Sequence, residues 1–232
     1  RDLHYPLRRQ RQMCIRDRNG PFLSTGKHNV ILQAACPEIA KKLGNTLCAP
    51  IIKFVPEGNI EPPSGAMLFP GSISLRAETY HMLLDDIASS LKQSGFKNII
   101  FIGDSGGNQK GMEIVAKKLN QRWSGSGVLA HYIPEYYNPG WEETERFTKE
   151  VLGVEETRND GHHDDIWVTA MMMVTDPEQV RHQQRIDAGL ASINGVDITP
   201  IDETTELGRK MLEFRAEFTA DAILKAIQSS KQ

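Results

Sequence analysis

An α/β fold, with a parallel sheet covered by helices on both faces, is what the amino-acid sequence predicts, and three observations carry it. Asn98-Ile99-Ile100-Phe101-Ile102 is a short run, apolar after Asn98, of the kind found in a strand buried on both sides. The glycine-rich turn Gly103–Asn108 follows, and then a helical pattern from about Gln109 to Trp123. A second apolar run, Val128 to Ile133, completes a strand–turn–helix–strand unit. Ligands in such folds gather at the carboxyl ends of the strands, which is where 103–108 lies.

The rest of the chain extends this pattern. Residues 30–43 place Ile31, Ala34, Ala35, Ile39 and Leu43 near helical period, with Gly44 as a stop and Pro37 as an expected kink or fresh start. Residues 46–55 read as a buried strand, and a Gly- and Pro-rich loop runs from Pro56 to Gly71, long enough to suggest function. Tyr80, Leu83, Leu84, Ile87 and Leu91 form one face of a helix over 77–94. Further helices are expected at about 141–152, 164–174 and 203–229.

Bulk properties exclude several classes. A chain of 232 residues suits one large domain. Its 39% apolar and 25% charged content is ordinary for a globular protein, and a net charge of −3 gives no reason to expect nucleic acid or an anionic membrane as partner. No apolar run reaches the roughly 18 residues needed to span a bilayer. Cys14, Cys36 and Cys48 suggest neither a disulfide framework nor a zinc spacing, so a reducing, cytoplasmic setting is expected.

Residues 1–18 differ from the remainder. They hold six arginines and no lysine, glycine or alanine, and without them the chain carries 21 basic and 28 acidic side chains, a net of −7. Met13-Cys14-Ile15-Arg16-Asp17-Arg18 resembles a translated adaptor fragment. The expectation is a non-native or disordered segment over 1–18 and one domain over 19–232.

Two loops carry candidate chemistry. Gly103-Asp104-Ser105-Gly106-Gly107 contains the Gly-x-Ser-x-Gly of a nucleophile elbow in the right strand–turn–helix context, with Asp160 and either His163 or His182 able to complete a triad. Its Gly-Asp-Ser-Gly-Gly string also occurs around the nucleophile of trypsin-like proteases, but those are all-β. The plainer reading is that the glycines let the chain turn and let the helix pack close. Asp160-Gly161-His162-His163-Asp164-Asp165 is the densest titratable cluster in the chain. Asp164 and Asp165 could simply complement the dipole of the helix that follows, whereas adjacent histidines suit metal binding or proton transfer. Met171-Met172-Met173 reads as core.

Several stretches, in order, resemble the creatininase (creatinine amidohydrolase) family. They are Asn19-Gly20-Pro21-Phe22-Leu23, Phe69-Pro70-Gly71-Ser72-Ile73-Ser74-Leu75 with Glu78-Thr79, Gly106-Gly107-Asn108 after a buried strand, and His163 with Thr169 and Asp176–Arg181. The resemblance implies a three-layer α/β/α sandwich and a homo-oligomer, a hexamer. It also implies hydrolysis of a C–N bond in a small polar amide by a divalent metal pair, zinc or manganese, which polarises the carbonyl and activates water.

Carried over residue by residue, the family's first-strand Glu ligand falls on Asp17 and the neighbouring His on Asn19. Its bridging Asp falls on His28, and the His of the Gly-Gly-Asn loop on Ser105. Its proton-shuttle histidine is kept as His163, and the Glu before that is His162 here. The ligand set is therefore re-specified, with one ion held by His28, Asp17 and Asp165 or Asp104, or with the metal lost. Ser105 and Asp104 remain catalytic candidates beside His163. Asn19, Gly106, Gly107, Asn108, His162 and Asp164 are expected around the substrate. A metal-independent serine hydrolase through Ser105, and a non-catalytic binding or scaffold protein, stay open as alternatives.

Overall fold

The computed structural model describes residues 22–24, 26–69, 72–159 and 161–230. Besides three short 3-10 turns, seven α-helices and four strands are assigned among them. In order they are α1 (Lys27–Leu43), α2 (Ala77–Gln93), β1 (Asn98–Phe101), α3 (Gly106–Arg122), β2 (Leu129–Tyr132), α4 (Gly140–Glu150), α5 (Ile166–Thr175), α6 (His182–Asp187), β3 (Ser192–Ile193), β4 (Val196–Asp197) and α7 (Ile201–Ser229). β1 and β2 pair in parallel, Asn98 opposite Leu129 and Phe101 opposite Tyr132, with α3 as the crossover. β3 and β4 form a small separate antiparallel hairpin.

The pleat of the parallel pair sorts side chains to two apolar clusters. Ile99, Phe101 and Ala130 pack with Tyr80, Leu84 and Ala88 of α2 and with Met112, Val115 and Leu119 of α3. Ile100, Ile102 and Ile133 join Ile31 and Ala35 of α1, Met171–Met173 of α5, and Met211, Leu212 and Ala216 of α7. Successive strand residues point to opposite faces, so one short strand serves both clusters. The methionine run is core, as the sequence suggested. α7 crosses α5 closely: a Cβ on Gly208 would lie 2.1 Å from the carbonyl oxygen of Ala170, so only glycine fits there.

Three expectations need correction. Residues 46–55 form no strand: among the described residues they make no ladder hydrogen bonds with β1 or β2, although Ile52 and Val55 pack against the cluster those strands line. Its Leu47 and Phe54 are exposed. α1 runs through Pro37 without a break. Gln33, whose carbonyl would have received the missing N–H, is exposed, as is Pro37, so water can satisfy the freed acceptor while Ile31, Ala35 and Ile39 hold the buried face. The parallel sheet is also small, two strands among the described residues.

The cysteine reading is corrected too. Cys36 on α1 and Cys48 are joined by a disulfide across 12 residues, which ties the start of the 46–55 segment to α1. Closing a loop of that size stabilises by about 3 kcal/mol, which for a chain this long corresponds to roughly 6–12 °C. Melting with and without reductant should show a loss of that order. An unchanged midpoint would mean that the bridge contributes nothing to the fold. No described helix is long and apolar enough to cross a membrane.

Candidate functional site

The carboxyl end of β1 leads through Ile102 and Gly103 into Asp104, Ser105 and the first turn of α3. Asp104 is fully buried, and its carboxylate is the hub of the site. Arg215 Nη2 donates to Oδ1 at 2.5 Å, Trp141 Nε1 donates to the same oxygen at 3.1 Å, and His28 Nδ1 donates to Oδ2 at 2.9 Å. Burial alone would push this carboxyl up. The Arg215 charge and the bonds from His28 and Trp141 outweigh it and hold Asp104 below the usual carboxylate range. An ionised carboxylate only accepts, so the His28 proton sits on Nδ1 and Nε2 is the acceptor nitrogen.

Each partner is fixed in turn. Arg215 is wholly buried in α7; Nη2 also donates to the carbonyl of Tyr136 at 2.9 Å, and the guanidinium lies 4.2 Å over the Tyr136 ring. His28, in the first turn of α1, stacks on Trp141 at 5.8 Å with 20° between the ring planes. Trp141 meets Trp167 edge-on at 5.1 Å. The chain enters α1 through Gly26 at φ 81°, a left-handed conformation that favours glycine.

His28, Asp104, Ser105 and Asn108 line one cleft, closed on its other side by Ile52, Val55, Glu57 and Ile73. A Cβ on Gly107 would lie 2.0 Å from the carbonyl oxygen of Pro56, so the glycine lets the long loop seat against α3. That approach brings Glu57 within reach of Ser105, whose Oγ donates to Glu57 Oε1 at 3.3 Å and accepts from the N–H of Gly107 at 3.4 Å as the N-cap of α3. The side chain of Asn108 is nearly buried and accepts from Gln109 at 2.8 Å. Gly106 begins α3 beneath Tyr137.

The second cluster divides. His163 is exposed, and its carbonyl accepts from the buried Lys27 Nζ at 2.7 Å, one residue from His28. His162 is half-buried, and neither histidine lines the cleft. Asp164 is buried and paired with Arg185 at 3.0 Å. Asp165 and Glu156 share the side-chain amide of Asn194, at 3.4 and 3.0 Å. The triad alternative through His182 finds that ring buried, with Nε2 bonded to the carbonyl of Ile198 at 2.6 Å. Asp17, Asn19, Asp160 and the whole 1–18 segment lie outside the described residues.

Burial, with the charges of Glu156 and Asp164 beside it, pushes Asp165 up to about 6, against the opposing pull of Lys27. The folded value lies above the unfolded one, so the unfolded chain gives up this proton first. Stability therefore falls as pH rises from about 4 to 6 and stays lowered above that. Asp165→Asn should raise the melting temperature near pH 8 and leave it unchanged near pH 3.5. An equal effect at both pH values would show that the carboxyl does not titrate in this window.

The sequence reading did not find Arg215, Trp141 or Glu57. Arg215 had a signal: it falls on the same helical face as Met211, Leu212, Thr219 and Ile223, where a charge needs a buried partner. Trp141 and Glu57 had none, since one reaches the site from the first turn of α4 and the other from the long loop, neither with a pattern that names its partner.

The family model for creatininase, creatinine amidohydrolase, matches residues 18–223. The chain belongs to the creatininase family. Among solved structures it is similar to a mutant creatininase complexed with creatine, at 18% identity and TM-score 0.54, over 91% of this chain and 87% of that one. A manganese creatininase aligns at 18% identity and TM-score 0.56, over 91% and 86%. A mutant creatininase of zinc–zinc type aligns at 17% identity and TM-score 0.53, again over 91% and 86%. These matches show the creatininase fold. No curated protein matches the sequence at a significant level.

A creatininase-type metal pair needs several ligands converging on it, with a carboxylate free to bridge. Among the described residues no three His, Cys, Asp or Glu side chains converge. The Asp104 carboxylate already accepts from three donors, one of them a guanidinium, and Asp165 belongs to the Glu156–Asn194 group. The described residues do not fit a metal pair.

Proposed function

We propose that this chain hydrolyses a C–N bond of a small polar amide in the cleft that holds His28, Asp104, Ser105 and Asn108, on a three-layer α/β/α scaffold within a homo-oligomer. Membership of the creatininase family across residues 18–223 carries this reading. The location of the cleft, at the carboxyl end of β1 and the first turn of α3, supports it.

The chemistry follows from the geometry. With its proton on Nδ1, His28 offers Nε2 as a base to a water in the cleft. As Nε2 takes that proton, the water oxygen bonds to the carbonyl carbon, and negative charge develops on the carbonyl oxygen. The Gly107 amide in the first turn of α3, which donates to Ser105 Oγ at 3.4 Å, is the candidate donor to such an oxyanion. Collapse of the intermediate breaks the C–N bond. The nitrogen leaves as an amine with a returned proton, and the acyl part leaves as a carboxylate. His28, protonated at Nε2 in the first step, is placed to return that proton. The family resemblance gives the shuttle role to His163, whose carbonyl is held by Lys27 beside His28 but whose ring does not line the cleft.

The test is release of amine or ammonia from a panel of small linear and cyclic amides. A His163→Ala loss of about 10²-fold or more in turnover, the usual size of a lost acid–base group, would assign the returned proton to His163, and a loss below about 10-fold leaves it with His28. The nucleophile reading of Ser105 predicts near-complete loss in Ser105→Ala and covalent labelling by a fluorophosphonate. Ours predicts a loss below about 10-fold and no label, because the Ser105 hydroxyl donates to Glu57 and caps α3. If no amide in the panel is turned over, a binding or scaffold role replaces the enzyme.

A further inference from the structure

The described residues fail to fit a metal pair, yet the buried carboxylate among them is closely held. Here the carboxylate at the hub accepts from three donors, and all three come from different elements. Arg215 reaches it from α7, Trp141 from α4 and His28 from α1. Arg215 has no solvent exposure, and its neighbours on α7, Met211, Leu212 and Ala216, are buried in the core. A guanidinium cannot give up its proton in a protein, so this is a permanent positive charge inside the cleft wall.

We infer that the cleft works without a metal pair, and that the buried Arg215 guanidinium supplies the positive charge that a metal would otherwise bring to the Asp104–His28 pair. The inference rests on the hydrolytic reading only for its chemistry; the charge argument stands on the geometry. A divalent ion bound to Asp104 would sit within a few ångströms of Arg215, at low dielectric, where like charges repel strongly. It would also compete with His28 at Oδ2 and with Arg215 and Trp141 at Oδ1. Asp104 acts through His28 and is a positioning residue: it fixes the tautomer and the ring plane, while Trp141 supports the ring face.

The full chain, purified without chelators, is assayed for metal and melted with added zinc, manganese or EDTA. An ion bound at a hundred times its dissociation constant would raise the melting temperature by roughly 5–10 °C for a chain of this size. The expected result is bound zinc and manganese far below one ion per chain, with a midpoint that none of the three additions moves. A stoichiometric ion, or a rise of that size that disappears in His28→Ala, would overturn the inference. The two readings fail separately. Metal-free protein that turns over no amide sinks the hydrolase and leaves the charge assignment standing. Turnover abolished by EDTA and restored by zinc or manganese does the reverse.

Discussion

Asp104→Asn and Arg215→Met are each expected to lower the melting temperature by roughly 6–20 °C, and the double variant by much less. Each single change leaves one buried group without its partner. In Arg215→Met the Asp104 carboxylate stays in the interior with only Trp141 and His28 as donors to offset its desolvation. In Asp104→Asn the guanidinium keeps its charge, the carbonyl of Tyr136 and the Tyr136 ring, but has no anion. Breaking a buried pair from one side costs about 3–5 kcal/mol, whereas replacing both charges by well-packed neutral groups is often close to neutral. Chemical denaturation of the two single variants and the double variant gives the coupling directly. Additive losses would show that the two groups, although 2.5 Å apart, are not energetically paired.

That pair also marks the limit of what could be read from the sequence. The strand at 98–101, the turn after it and α3 are written in local patterns: an apolar run, glycines, then a helical face. The long helices are legible for the same reason, because a 3.6-residue period survives without any knowledge of its partner. The 46–55 run was misread because strand formation depends on a neighbour elsewhere in the chain, which no local pattern supplies. The β3–β4 hairpin escaped notice because two residues on each side of a turn leave no periodicity. In the site, Asp104 and His28 were singled out separately, but the bond between them spans 76 residues, and Arg215 lies a further 111 residues along the chain from Asp104. The adjacent carboxylates Asp164 and Asp165 looked like one functional group with His163. The fold instead assigns Asp164 to Arg185 and Asp165 to Asn194.

His28→Ala is expected to reduce turnover by about 10²–10⁴-fold, while His28→Ala protein keeps its fold. Its side chain is about one-quarter exposed, so truncation removes one hydrogen bond to Asp104 and the stacking on Trp141 without opening the core. The loss of that bond costs about 1–3 kcal/mol, because Oδ2 loses its donor while Arg215 and Trp141 still hold Oδ1. Turnover and stability should therefore separate: a large drop in kcat with a small drop in Tm. Added imidazole provides a readout that a structural role would not give. The truncated ring leaves space beside Asp104, and a free imidazole placed there can take the proton that Nε2 would have taken. Partial recovery of kcat, saturating with imidazole and absent in the wild type, is the expected result. If imidazole restores nothing and added zinc or manganese does, His28 is a ligand and the metal-free assignment falls. If turnover in His28→Ala stays within a few-fold of the wild type, the base lies elsewhere, and His163 becomes the next residue to test.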